Sequence, residues 1–211
     1  MTSGYSFSRW RAGVTVVLAS VLFAFLAADV ACADPPFPRY GTRLVGGDYG
    51  DWNLTKDFFS NMYRAGNPNK PLESWLYLRY DCHTNTLYVL VLAVPGVPVS
   101  TNPIAAWVAV GSIGNKVVTG NSGNDGVPPD FEWIDQAPAP GDSVAAGYEA
   151  SFPLAPGTHE IIFHVNVYDD GKVQTSSTPG FPREGIEVIV DCTVPVDETS
   201  WGRIKSVYRR Q

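Results

Sequence analysis

Trp75-Leu-Tyr-Leu-Arg-Tyr-Asp81 and Thr86-Leu-Tyr-Val-Leu-Val-Leu-Ala-Val94 decide the fold class. Both runs are rich in β-branched and aromatic residues, and the polar stretch His83-Thr84-Asn85 separates them, so they read as a β-hairpin. In the first run Leu76, Leu78 and Tyr80 share one face. The second run is apolar on both faces, which suits a central strand covered on each side. The same pattern recurs along the chain. Ile104–Gly111, Asn115–Thr119, Phe131–Asp135, Tyr148–Phe152, Glu160–Tyr168 and Gly185–Cys192 are further strands, with Asp169-Asp170-Gly171-Lys172 as a turn. Many short strands with Gly/Pro/Asn/Asp between them predict an all-β fold, an antiparallel β-sandwich.

Helix is scarce. Phe58, Phe59 and Met62 form an apolar stripe that predicts a short helix over residues 54–65. Trp201, Ile204 and Tyr208 form a second stripe. Asp197 and Glu198 precede it and Arg209 and Arg210 close it, which predicts a short C-terminal helix. The expected organisation is a leader at 1–33, a sandwich domain at 34–192, and a linker with an amphipathic tail at 193–211. The leader reading rests on Arg9 and Arg11, the apolar run Ala12–Ala28 and the cleavage pattern Ala31-Cys32-Ala33, and it implies a secreted or cell-surface protein. Retention of Cys32 as a lipid-bearing N-terminus competes with it, but Asp29 stands where such sites usually carry a Leu-like residue.

Loss of that leader takes the 15 basic and 21 acidic side chains to 13 and 20, and the formal charge from −6 to −7. An acidic chain without a Lys/Arg block is a poor partner for nucleic acid or an anionic membrane. Beyond the leader no apolar run approaches the length of a membrane-spanning helix, so no transmembrane segment is expected. Cys82 and Cys192 remain as the only cysteines outside the leader. Cys82 shares the face of Leu76, Leu78 and Tyr80, and Cys192 that of Ile186, Val188 and Val190. Both therefore point with the apolar side chains, and in an oxidising compartment they are expected to form a disulfide; two buried free thiols are the alternative.

Chemistry-bearing motifs are few, and neither a metal nor a cofactor is expected. His159-Glu160-Ile-Ile-Phe-His164 has its histidines five apart on a strand, hence on opposite faces, so it is no zinc-protease helix. Gly120-Asn-Ser-Gly lacks the second glycine of a nucleophile elbow. The Asn121–Asp125 loop and the Asp48/Asp51 pair offer oxygen ligands, but ordinary Gly/Asn surface loops look the same. Glu132, Glu149 and Glu160 could line one sheet face as a hydrolase would need, although strand carboxylates usually form a solvated face. Asn53-Leu54-Thr55 is an N-glycosylation sequon, relevant where the source glycosylates. Trp52, Trp75, Trp107, Trp133 and Trp201 are candidates for stacking on sugar rings, set against the commoner fate of strand tryptophans as core.

Val45-Gly-Gly-Asp-Tyr-Gly-Asp-Trp52, the Tyr77–Asp81 strand with Thr86–Val91, and Phe131-Glu-Trp-Ile followed by Gly147–Pro153 together resemble family 9-like carbohydrate-binding and DOMON-type β-sandwiches. The resemblance spans Leu44–Val167 and rests on short motifs. It implies a non-catalytic, secreted binding module whose ligand is often a glycan, with Trp52, Trp75, Trp107, Trp133 and Glu149 as the candidate ligand-binding residues and carbohydrate or a cell-surface component as partner. A DOMON relative can hold b-type haem between one Met and one His, for which Met62 and His164 are the available pair. The segment Trp201–Arg209 is similar to a terminal element appended to some secreted bacterial proteins. The competing readings are a structural or interaction protein without a small-molecule site, and, further off, a glycoside hydrolase or a haem electron carrier.

Overall fold

The structure, a computed structural model, describes residues 37–135 and 144–192. The leader at 1–33, the tail at 193–211 and the C-terminal helix expected in it lie outside the described residues. Twelve strands run in order: β1 (Arg39–Tyr40), β2 (Phe58–Arg64), β3 (Leu72–Asp81), β4 (Thr86–Ala93), β5 (Val99–Ser100), β6 (Ala106–Val110), β7 (Lys116–Thr119), β8 (Asp130–Asp135), β9 (Val144–Pro153), β10 (Gly157–Asp169), β11 (Lys172–Ser177) and β12 (Ile186–Val190).

The predicted hairpin is present: β3 and β4 pair antiparallel from Ser74↔Ala93 to Asp81↔Thr86. The architecture, however, corrects the sandwich expectation. A closed seven-strand antiparallel barrel forms in the order β11-β2-β3-β4-β9-β5-β10, with β10 pairing back onto β11, and five strands (β1, β6, β7, β8 and β12) lie outside the ring. Two weak links make the closure. β2 meets β11 through Tyr63↔Ser177 and Arg64↔Ser176. The two-residue β5 bridges β9 and β10. Closure removes two exposed edges that a sandwich would leave open.

The helix expected over 54–65 is also corrected: Phe58–Arg64 is a strand, and no helix occurs among the described residues. Register shifts at Phe58/Ser60 and Met62/Tyr63 interrupt the strand's alternation. A bulge adds a residue on one strand and breaks the period of two, so the apolar positions imitate a helical stripe. Met62 is fully buried in the barrel while Phe58 is 45% exposed.

Parity separates two faces. The barrel interior takes Leu76, Leu78 and Tyr80 from β3, Leu87, Val89 and Val91 from β4, Tyr148, Ala150 and Phe152 from β9, and Ile161, Phe163, Val165 and Val167 from β10. The disulfide is formed: Cys82 and Cys192 have Cα atoms 5.6 Å apart and tie the end of β3 to the residues after β12. At the same end β1 pairs with Arg79–Tyr80, and the Tyr40 hydroxyl donates to the Asp191 carbonyl. Among the described residues no helix is long and apolar enough to cross a membrane.

Candidate functional site

Residues 41–57, between β1 and β2, form a strap over the outer face of β3, β4 and β9. Under it lie Tyr77, Leu90, Leu92 and Ile134, and Trp52 from the strap itself completes this second apolar cluster. The strap lies close because a glycine at 47 allows it. Gly47 has φ of 73°, and a Cβ there would sit 2.8 Å from the Trp133 carbonyl oxygen. The Gly46 and Gly47 amides donate to Glu149 Oε2 at 3.0 and 2.9 Å, and the Trp52 indole N–H donates to Glu149 Oε1 at 2.7 Å. Glu149 is 1% exposed. Burial pushes its pKa above the ordinary carboxylate value, and the three N–H donors pull it back.

A second buried acid holds the strap's other end. Asp57 Oδ2 accepts from the Asn53 amide at 2.8 Å and lies 2.7 Å from an Arg79 guanidinium nitrogen. Arg43 approaches the same oxygen at 3.7 Å and covers the Trp52 ring at 5.6 Å. Between these anchors the strap forms a turn, with the Trp52 amide donating to the Tyr49 carbonyl and the Lys56 amide to Asn53.

That turn makes one wall of an open cleft of about 280 Å³. Tyr49 and Leu54 come from the strap, Trp75 and Tyr77 from β3, Leu92 from β4, and Val97 from the turn after it. Trp75 is half-buried and pairs with Leu92 across the ladder, as Tyr77 does with Leu90. Phe58, edge-on to Tyr77 at 6.0 Å, extends the apolar rim.

The structure disperses the other candidates. Trp107 lies on the outer face of β6, stacked 4.4 Å from His164, with Lys116 Nζ 4.7 Å over its ring and Phe181 beside it. Trp133 packs edge-on against Phe131 and Tyr148 as part of the interior packing. Trp52 fastens the strap, and Trp201 lies outside the described residues. Trp75 is therefore the one candidate tryptophan that lines the cleft among the described residues. Glu132 and Glu149 are register partners on β8 and β9, but both Glu149 oxygens are engaged beneath the strap. Glu160 accepts from the Gly185 amide at 2.7 Å on a different strand. Met62 sits in the barrel interior and His164 on the outer face, so the two cannot flank one haem.

Tyr49, Leu54, Tyr77, Leu92 and Val97 are among the cleft residues that sequence reasoning missed. Parity had a signal for Tyr77: odd positions of β3 share the face of Trp75, opposite Leu76 and Leu78. Periodicity marked neither Leu54 nor Tyr49, the latter inside the Val45–Trp52 motif, because the strap has none. The ion group around buried Glu73 was equally silent. There Arg64 Nε donates to Glu73 at 2.6 Å and its NH2 to Asp169, 105 residues away. Comparison of the chain with known protein families, with characterised proteins and with solved structures finds no match.

Proposed function

We propose that the chain is a non-catalytic binding module of a secreted or cell-surface protein, and that the cleft between the strap and the β3–β4 face receives its ligand. The observation that carries this reading is the lining. A half-buried Trp75 stands beside Tyr49 and Tyr77 in an open cleft, with aliphatic walls from Leu54, Leu92 and Val97. Aromatic faces edged by polar tips suit a ligand with one apolar face and polar edges, and a sugar ring is such a ligand. The disulfide fits an oxidising compartment.

The test is titration of the protein against an array of soluble oligosaccharides, with Trp75→Ala beside the parent. Loss of a stacking anchor is expected to weaken binding on the order of tenfold or more. No binding by the parent at millimolar sugar, or binding that Trp75→Ala leaves intact, overturns the glycan assignment. A second reading has its own support: Leu54 and Phe58 at the rim are 40% and 45% exposed, an apolar margin that a protein partner would cover.

A further inference from the structure

We propose that Glu149 is the positioning residue of the cleft: it never meets the ligand, yet it sets whether the cleft has its second wall. This rests on the reading of the cleft as the binding site, and it reassigns Glu149 from a ligand contact to a fastener.

The argument starts from hydrogen-bond supply. A buried carboxylate left without donors costs far more than a neutral group, and Glu149 has donors on both oxygens whereas buried Asp57 has none on Oδ1. Among the described residues every donor to Glu149 comes from the strap: the Gly46 and Gly47 amides on Oε2, and the Trp52 indole on Oε1. Its neighbours in the sheet, Leu90 on β4 and Glu132 on β8, offer no side-chain donor. Lifting the strap therefore breaks three charge-assisted bonds together. Tyr49 and Leu54, the strap's contribution to the cleft, lie on either side of Trp52 in the chain. They are carried by the indole that the carboxylate holds. Asp57, held by Arg79, accepts from the Asn53 amide and so pins the far side of this turn, while Glu149 holds the near side through Gly46, Gly47 and Trp52.

The strap also contrasts with the barrel beneath it. Its backbone takes part in no ladder between β1 and β2, so its protection depends on a few contacts, the usual mark of a segment that opens locally. Opening it would separate Tyr49 and Leu54 from Trp75 and Tyr77 while the closed ring stays intact. Affinity at the cleft would then be governed from beneath the strap, by a group the ligand cannot touch.

Glu149→Gln tests this, because it keeps shape and size but presents an amide N–H₂ to at least one of the strap's donors. The readouts are residue-resolved amide exchange and the Leu54 methyl shifts of the full chain, both without ligand, so they stand apart from the Trp75→Ala titration. Exchange across residues 43–57 is expected to rise on the order of tenfold to a hundredfold, with β4, β9 and β10 unchanged. The Leu54 methyl shifts, set in the folded chain by the cleft Leu54 shares with Trp75 and Tyr77, should move toward unstructured values. Unchanged strap exchange overturns the proposal. So does faster exchange throughout the barrel, which would make Glu149 a general stability residue, and so does a loosened strap with Leu54 unmoved. Should Glu149→Gln fail to fold, Trp52→Phe removes the Oε1 donor alone. A smaller rise centred on residues 49–54 supports the proposal, and no rise overturns it.

Discussion

The barrel interior and the outer face beneath the strap are built on different principles. Inside, Leu76, Val89, Phe152, Phe163 and their neighbours fill space with apolar side chains that alternate along each strand. Any residue of suitable shape serves there, and the stabilisation is non-directional. Outside, Trp52, Tyr77 and Leu90 are covered only because Glu149 and Asp57 take specific donors from a segment with no ladder of its own. The first region resists change of volume. The second resists change of hydrogen-bonding capacity. The two should respond differently to the same kind of substitution.

The largest effect should come from emptying the interior. Phe152 is fully buried, and Phe152→Ala is expected to lower unfolding stability by about 3–5 kcal/mol, measured by denaturant titration. A loss confined to strap exchange, with global stability kept, would erase the distinction between the regions.

Next in size is a pH effect on a second outer-face patch. His164 lies under Phe181, stacked on Trp107, and its Nδ1 has no partner. Burial drives its pKa from 6.5 down to about 4, with the Asn166 side chain opposing the fall and Lys116 adding to it. The folded protein thus resists a proton that the unfolded chain accepts. The stability His164 contributes is fully present above pH 6.5 and is lost as the pH falls from there to about 4. The loss should reach about 3 kcal/mol. Denaturation curves across that window should slope for the parent and flatten for His164→Gln. Equal slopes would show that this patch answers to something other than the ring.

The smallest effect sharpens the rule for the interior. The Tyr148 hydroxyl is fully buried among apolar side chains without a partner, and burial pushes its pKa upward. Tyr148→Phe removes an unsatisfied group without changing the ring, so stability should be unchanged or rise by about 1 kcal/mol. A clear loss would reveal a polar feature in a region read as purely apolar.

Much of this was legible from the chain alone. The alternation in Trp75–Asp81, Thr86–Val94 and Tyr148–Phe152 is a local consequence of side chains pointing to opposite faces, and the strands lie there. Parity also pointed Cys82 and Cys192 toward the apolar side, where they are joined. Residues 58–64 failed because bulges broke the alternation that makes a strand recognisable. The cleft failed for another reason. Of its walls only Trp75 had been singled out as a ligand contact, because the strap that carries Tyr49 and Leu54 is fastened by a carboxylate about a hundred residues downstream.

Local periodicity determined the strands other than β1, β2, β5 and β11, the face their side chains take and the side to which both cysteines point, because these depend on neighbours a few residues apart. Closure into a ring was decided by the tertiary structure. It turns on β2 meeting β11 and on the two residues of β5, pairings between remote segments that no local pattern encodes. The site was decided there too: a buried charge at Glu149 must find its donors wherever the folded chain can bring them, and here it draws in a strap about a hundred residues upstream.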